Sequence, residues 1–175
     1  LEPGTPVPNV SAVEPEQKGE KRLIDIFDAE PRLAIAWHKP TMPHKDDYAF
    51  DLIDQVLGSG RTSRFYRSLV EEQKLATSVS VYGAPGSRYA NLFVIDAIPR
   101  YPHTAEELEA AIYAEIDKLK RELVGVDELN KVRNRLLTDQ LRQLRSNSGL
   151  ARLLTSYQSL SGDWRSLATY RQEAE

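Results

Sequence analysis

The chain has 175 residues, 41% of them hydrophobic and 28% charged, which is the composition of an ordinary globular chain of one large domain or two small ones. Its 23 basic and 26 acidic residues leave a net charge of −3, so nothing draws it electrostatically to nucleic acid or to an anionic membrane, and neutral molecules or protein are the partners to expect. The lack of cysteine removes disulfides, thiolate nucleophiles and cysteine-based zinc sites. No apolar run approaches the roughly 20 residues that span a bilayer, and the N-terminus has no basic-then-apolar signal pattern. No membrane span is expected, and the compartment stays open.

Residues 1–20, LEPGTPVPNVSAVEPEQKGE, hold four of the ten prolines and no periodic pattern, so they read as a linker arriving from a preceding domain. Residues 21–175 read as the domain itself. Two strands open it, KRLIDIF (Lys21 to Phe27) and RLAIAWH (Arg32 to His38), each alternating and joined by a turn at Asp28 to Pro31. Asp46 is placed to cap a helix whose Ala49, Phe50, Ile53, Val56 and Leu57 recur at helical spacing until Gly58–Ser59–Gly60. A second, short helix is predicted from Ser63 to Gln73. ATSVSVY (Ala76 to Tyr82) and NLFVIDAI (Asn91 to Ile98) are strands joined by a GAPGSR turn. Thr104 and Glu107 form a capping box ahead of a long helix lined by Leu108, Ile112, Ile116, Leu119 and Leu123. Further helices are predicted from Asp127, through Leu129 to Leu144, and after Ser148, through Leu150 to Leu160, their leucines read as core. The order β-β-α-α-β-β-α-α-α predicts an α+β fold, a mainly antiparallel sheet with helices packed on one face.

Chemistry is sparse. His38, His44 and His103 sit at a strand end and in proline-flanked loops, and no H-x-x-E-H or H-E-x-x-H places two on one helical face beside a carboxylate; His38 and His44 could meet around the Pro40–Pro43 turn, yet two ligands without a third hold zinc poorly. LGSGRTSR follows a helix where phosphate loops follow a strand, and it lacks the Walker lysine, so its glycines read as a helix C-cap. Arg61, Arg64 and Arg67, three residues apart, share one helical face, either solvated or set against an acidic partner. No G-x-S-x-G elbow presents a serine to a histidine.

At LGSGRTSRFYRSLVEEQKLATSVSVY, however, the chain resembles the C-terminal domain of the pitrilysin/insulinase (M16) family of zinc metallopeptidases, which includes the mitochondrial processing peptidases. The resemblance runs from RLAIAWHKP through DDYAFDLIDQVLGSGRTSRFYRSLVEEQKLA to VGVDELNKVRNRL, most of residues 20 to 160. It implies that zinc and its H-x-x-E-H motif belong to a homologous N-terminal domain preceding this one, with no cofactor held in this chain. In the family an arginine and a tyrosine, in the pattern L-R-E-x-x-G-L-A-Y, bind the substrate peptide and help stabilise the oxyanion. Laid on LVEEQKLAT, those positions fall on Val70 and Thr77, the substrate-binding candidates here, and neither residue can make the hydrogen bond of the one it replaces. No catalytic residue is therefore assigned.

Two functions follow from the resemblance. The parent is either the zinc-bearing subunit of a two-chain peptidase, with the arginine and tyrosine supplied by a second peptidase-family subunit, or a non-catalytic scaffold or partner-binding subunit. In both, this domain walls a chamber for a peptide substrate. A non-enzymatic binding module of the same architecture is the third possibility. SLATYRQEAE is expected to stop short of a further family helix.

Overall fold

The computed structural model describes residues 15–42, 44–89 and 91–168. The most apolar stretch of the sequence becomes its centre. Strand β3 (Asn91–Pro99) lies between β1 (Leu33–Lys39) and β2 (Ala76–Ala84), antiparallel to both, in the order β1-β3-β2. Ile35 and Val81 flank Ile95, and Trp37 and Gly83 flank Phe93. Because side chains alternate across a strand, this register collects Leu33, Ile35, Trp37, Val79, Val81, Phe93, Ile95 and Ala97 on one face. Ala34, Ala36, His38, Ser78, Ser80 and Tyr82 lie exposed on the other.

The helices cover the first face. Helix α1 (Lys45–Gly58) brings Leu57, and α2 (Ala105–Arg121) brings Leu108 and Ile112, to a core completed by Phe65 and Leu69. Phe65, Leu57, Leu69, Ile95, Leu108 and Ile112 are the largest fully enclosed side chains. Each stabilises the fold by about 1.5–3 kcal/mol through burial alone. Helices α3 (Val126–Leu144) and α4 (Asn147–Ser161) form a hairpin that meets the rest mainly through α1.

Several local signals act as expected. Thr104 accepts from the Glu107 amide at 3.3 Å while the Glu107 carboxylate accepts from the Thr104 amide at 3.2 Å, so the capping box forms and α2 starts where predicted. Elsewhere the structure corrects the reading. His44, not Asp46, caps α1, its Nδ1 accepting from the Asp46 amide at 3.2 Å, while Asp46 and Asp47 occupy the first turn, where the helix dipole favours them. Helix α4 starts at Asn147, just ahead of Ser148, and Ser146 caps it by accepting from the Gly149 amide at 3.0 Å. Leu123 lies beyond the end of α2 and is 98% exposed. Of the α3 residues only Val132 is buried, and Leu141, Leu144 and Leu150 remain exposed, because the hairpin has one packed side rather than two.

The largest difference is at the start. Lys21–Phe27 forms no strand, so the described residues hold a three-stranded sheet instead of four strands. Its alternation is real but finds no ladder: Leu23, Ile24, Ile26 and Phe27 are 75–93% exposed, and the segment is held instead by Arg22, which donates to both Glu109 oxygens at 2.9 and 2.5 Å.

The glycines of LGSG also do more than end a helix. A Cβ on Gly58 would stand 2.5 Å from Val81 Cβ, so the last turn of α1 reaches β2 only because Gly58 has none. Gly60 takes a φ of +78° beneath Arg135, whose guanidinium donates to the Ser59 carbonyl at 2.8 Å. Gly58→Ala should cost about 1–3 kcal/mol by overpacking. In a Val81→Ala background the same change should cost clearly less, and urea unfolding of the four proteins of that cycle measures the difference.

Candidate functional site

The candidate site is the hinge from Ser63 to Tyr82, which carries Val70 and Thr77, the two positions expected from the resemblance to bind substrate. The predicted short helix is there, but Tyr66–Glu72 is a π-helix. Its widened turn shows in the Gln73 amide, which donates to the Ser68 carbonyl five residues back at 2.9 Å. A buried polar network accompanies the widening. Ser68 Oγ donates to Glu115 Oε1 at 2.7 Å and accepts from Gln73 Nε2 at 2.7 Å, and Lys118 Nζ donates to the same Glu115 oxygen at 2.6 Å. Glu115 is only 5% exposed, so these bonds offset the cost of placing a carboxylate among apolar side chains.

The helix stops at Lys74, whose φ is +56°. The Leu75 amide then donates to the Leu69 carbonyl six residues back at 2.8 Å, the closure that a left-handed residue after a helix end permits. Lys74 stands at the glycine of L-R-E-x-x-G-L-A-Y. A lysine there bears the steric cost that glycine escapes, about 1–2 kcal/mol.

The structure separates the two candidate positions in character. Val70 is buried and belongs to the core with Leu69, Ala76 and Ile95. Thr77 is exposed on β2 at a bulge, where Ala76 faces Pro99 and Ser78 already faces Ile98. Its hydroxyl donates to the Ile98 carbonyl at 3.3 Å, so it is engaged locally. Of the three arginines, Arg64 is no surface ornament: its guanidinium forks onto Glu128 at 3.0 and 2.7 Å, tying the hinge to the start of α3. That pairing raises the arginine pKa and lowers that of the carboxyl. Arg67 meets Glu72 at 3.7 Å with both side chains largely exposed, and Arg61 is exposed.

A second charged cluster joins β1 to α1. Lys39 Nζ donates to Asp47 Oδ1 at 2.5 Å, with both side chains nearly enclosed, and lies over the Phe50 ring. Nearby Asp54 has its pKa pushed up to about 6, first by desolvation and then by Asp51, against the pull of Lys39. Neither cluster was singled out from sequence, yet both left a signal. Glu115 follows Leu108 and Ile112 on the inward stripe of α2, and Lys39 follows Leu33, Ile35 and Trp37 on the inward side of β1, so each is a charge at an apolar position.

The residues present do not fit a zinc ion. His38 Nε2 pairs with Gln17 Oε1 at 3.2 Å, His44 caps α1 and His103 Nδ1 meets Glu107 at 3.0 Å. Among the described residues no group of three or more histidines and carboxylates could hold a metal.

Two outcomes follow. Lys74→Gly should stabilise the chain by about 1 kcal/mol, seen as a higher urea midpoint, because glycine adopts the left-handed conformation without strain. Asp54 has a folded pKa above the ordinary carboxylate value of 3.8, so its protonated form stabilises the fold fully below that value, and the contribution is lost as pH rises through about 6. Asp54→Asn should therefore raise the urea midpoint at pH 8 and leave it little changed at pH 4.

The family model described as the peptidase M16 inactive domain matches residues 1–136. The zinc protease PqqE of Helicobacter pylori is 27% identical over 170 residues, 95% of this chain and 38% of that protein. Among solved structures, a protease from Helicobacter pylori superposes with a TM-score of 0.75 at 27% identity, over 82% of this chain and 34% of that one. The inactive peptidase domain from Bordetella parapertussis superposes with a TM-score of 0.73 at 21% identity, over 86% and 82% of the two chains, a likeness of fold. The chain thus spans little more than a third of the Helicobacter pylori proteins it resembles. With the match extending over most of its length, this chain belongs to the M16 zinc protease family as an inactive C-terminal domain.

Proposed function

We propose that this domain walls the peptide-holding chamber of a zinc metalloendopeptidase without taking part in its chemistry. The observation that carries the reading is the one-sided sheet. Helices cover one face, while the other presents Ala34, Ala36, Ser78 and Ser80, small side chains that let another backbone approach, and the outer edge of β1 has no strand partner among the described residues. An exposed edge of that kind binds an extended peptide by adding it as a strand. The zinc of the parent belongs in this reading to a homologous domain ahead of Leu1. The arginine and tyrosine that Val70 and Thr77 replace come from a second subunit of the family, as in its heterodimeric processing peptidases.

The placement of Val70 also supports a division of labour. An arginine substituted at that buried position would have to leave the core or carry its charge into it. The competing reading, a scaffold subunit with neither half of the chemistry, draws on the same two positions. Zinc analysis of the full-length parent after exhaustive dialysis separates them: about one zinc per chain is expected for the metal-bearing half of a split peptidase, and none would leave the scaffold. The 175-residue chain alone is expected to hydrolyse no peptide; chelator-sensitive cleavage by it would overturn both readings.

A further inference from the structure

The segment Lys21–Phe27 is the least explained part of the molecule. It alternates as a strand does, yet Leu23, Ile24, Ile26 and Phe27 are exposed by 75–93%. It also runs beside β1, one of the two strands whose outer edge has no ladder partner among the described residues. A cavity of about 580 Å³ lies between the segment, β1 and the start of α2, lined among others by Arg22 and Ile24 of the segment, Ile35 and Trp37 of β1, and Glu109 and Tyr113 of α2. The segment and the outer edge of β1 both carry backbone groups with no ladder to join among the described residues.

We propose that Lys21–Phe27 is a strap that closes on the free edge of β1 as a fourth strand, and that in doing so it competes with an extended peptide for that edge. The competition rests on the chamber-wall reading above; the closure does not.

The register of closure follows from geometry. Arg22 points to the helix side of the sheet, because it reaches Glu109 on α2, the helix whose Tyr113 stands edge-on to Trp37. Side chains alternate, so Ile24 and Ile26 belong to that side as well, and Leu23, Asp25 and Phe27 to the open side. Facing β1, where Leu33, Ile35 and Trp37 are on the helix side, Ile24 then comes opposite Ile35 and Ile26 opposite Leu33. The connection left over is Asp28–Pro31, four residues, a common hairpin length. Closing buries two isoleucines against the core rim and pairs the edge backbone. The ion pair of Arg22 with Glu109, whose side chain is 14% exposed, keeps the strap tethered close by in either position.

The absence of native cysteine makes the test clean. Leu23→Cys/Ala36→Cys joins two exposed positions that face each other on the open side when the strap is closed. Ile24→Cys/Ala36→Cys, on opposite sides, serves as the mismatched control. Under mild oxidation of the full chain the first pair should cross-link and the control should not. Fluorescein-labelled casein, an unfolded protein, then reports on the edge: the cross-linked form should bind it at least tenfold more weakly than the same protein reduced. Absence of the cross-link, or equal cross-linking of the control, overturns the closure. Cross-linking with unchanged casein binding overturns the competition and leaves the closure standing. Binding by neither form overturns the peptide-docking reading, and with it the competition, while the cross-link still establishes the fourth strand.

Discussion

Everything in this domain is built outward from β3, the only strand among the described residues that is hydrogen-bonded along both edges. Its register sets which residues of β1 and β2 face the helices, since a shift of one residue would turn Ile35, Trp37, Val79 and Val81 to the bare side. Once that face is set, the helices must cover it. The space they have is fixed by backbone proximity as much as by side chains: α1 ends against β2 with a glycine in contact with Val81. The same arrangement leaves the sheet with two edges and one uncovered face, which are the features a peptide-holding wall needs.

The hinge is held by its backbone and its core contacts. The π-helix, the left-handed Lys74 and the bulge at Thr77 keep the path of the chain from helix to strand. Val70 adds to the core, and the hydroxyl of Thr77 turns to a backbone carbonyl. The buried Glu115, held by Ser68 and Lys118, gives the hinge a polar anchor that is structural rather than chemical. A site of this kind keeps its scaffold because the helix-to-strand connection carries core residues on both sides.

Much of the fold was legible. The capping box of α2, the apolar run of β3 and the alternation of β1 and β2 depend on residues a few positions apart, so each is visible in a short window of sequence. Less of the hinge could be read. Nothing in SRFYRSLVEEQK distinguishes a π-helix from an α-helix, because the widened turn goes with a contact to Glu115, 47 residues away. The buried charges were readable only as misfits at inward positions, and their partners only from the fold.

The sequence by itself determined the family and the type of most elements, since these depend on residue identity and local spacing. Tertiary structure decided which apolar patterns find a partner. The strand-like Lys21–Phe27, and Leu141, Leu144 and Leu150 of α3 and α4, carry the same local signals as elements that pack, yet they stay exposed. Strand pairing and helix burial are long-range interactions, and a local pattern is satisfied only when a second surface is present to receive it.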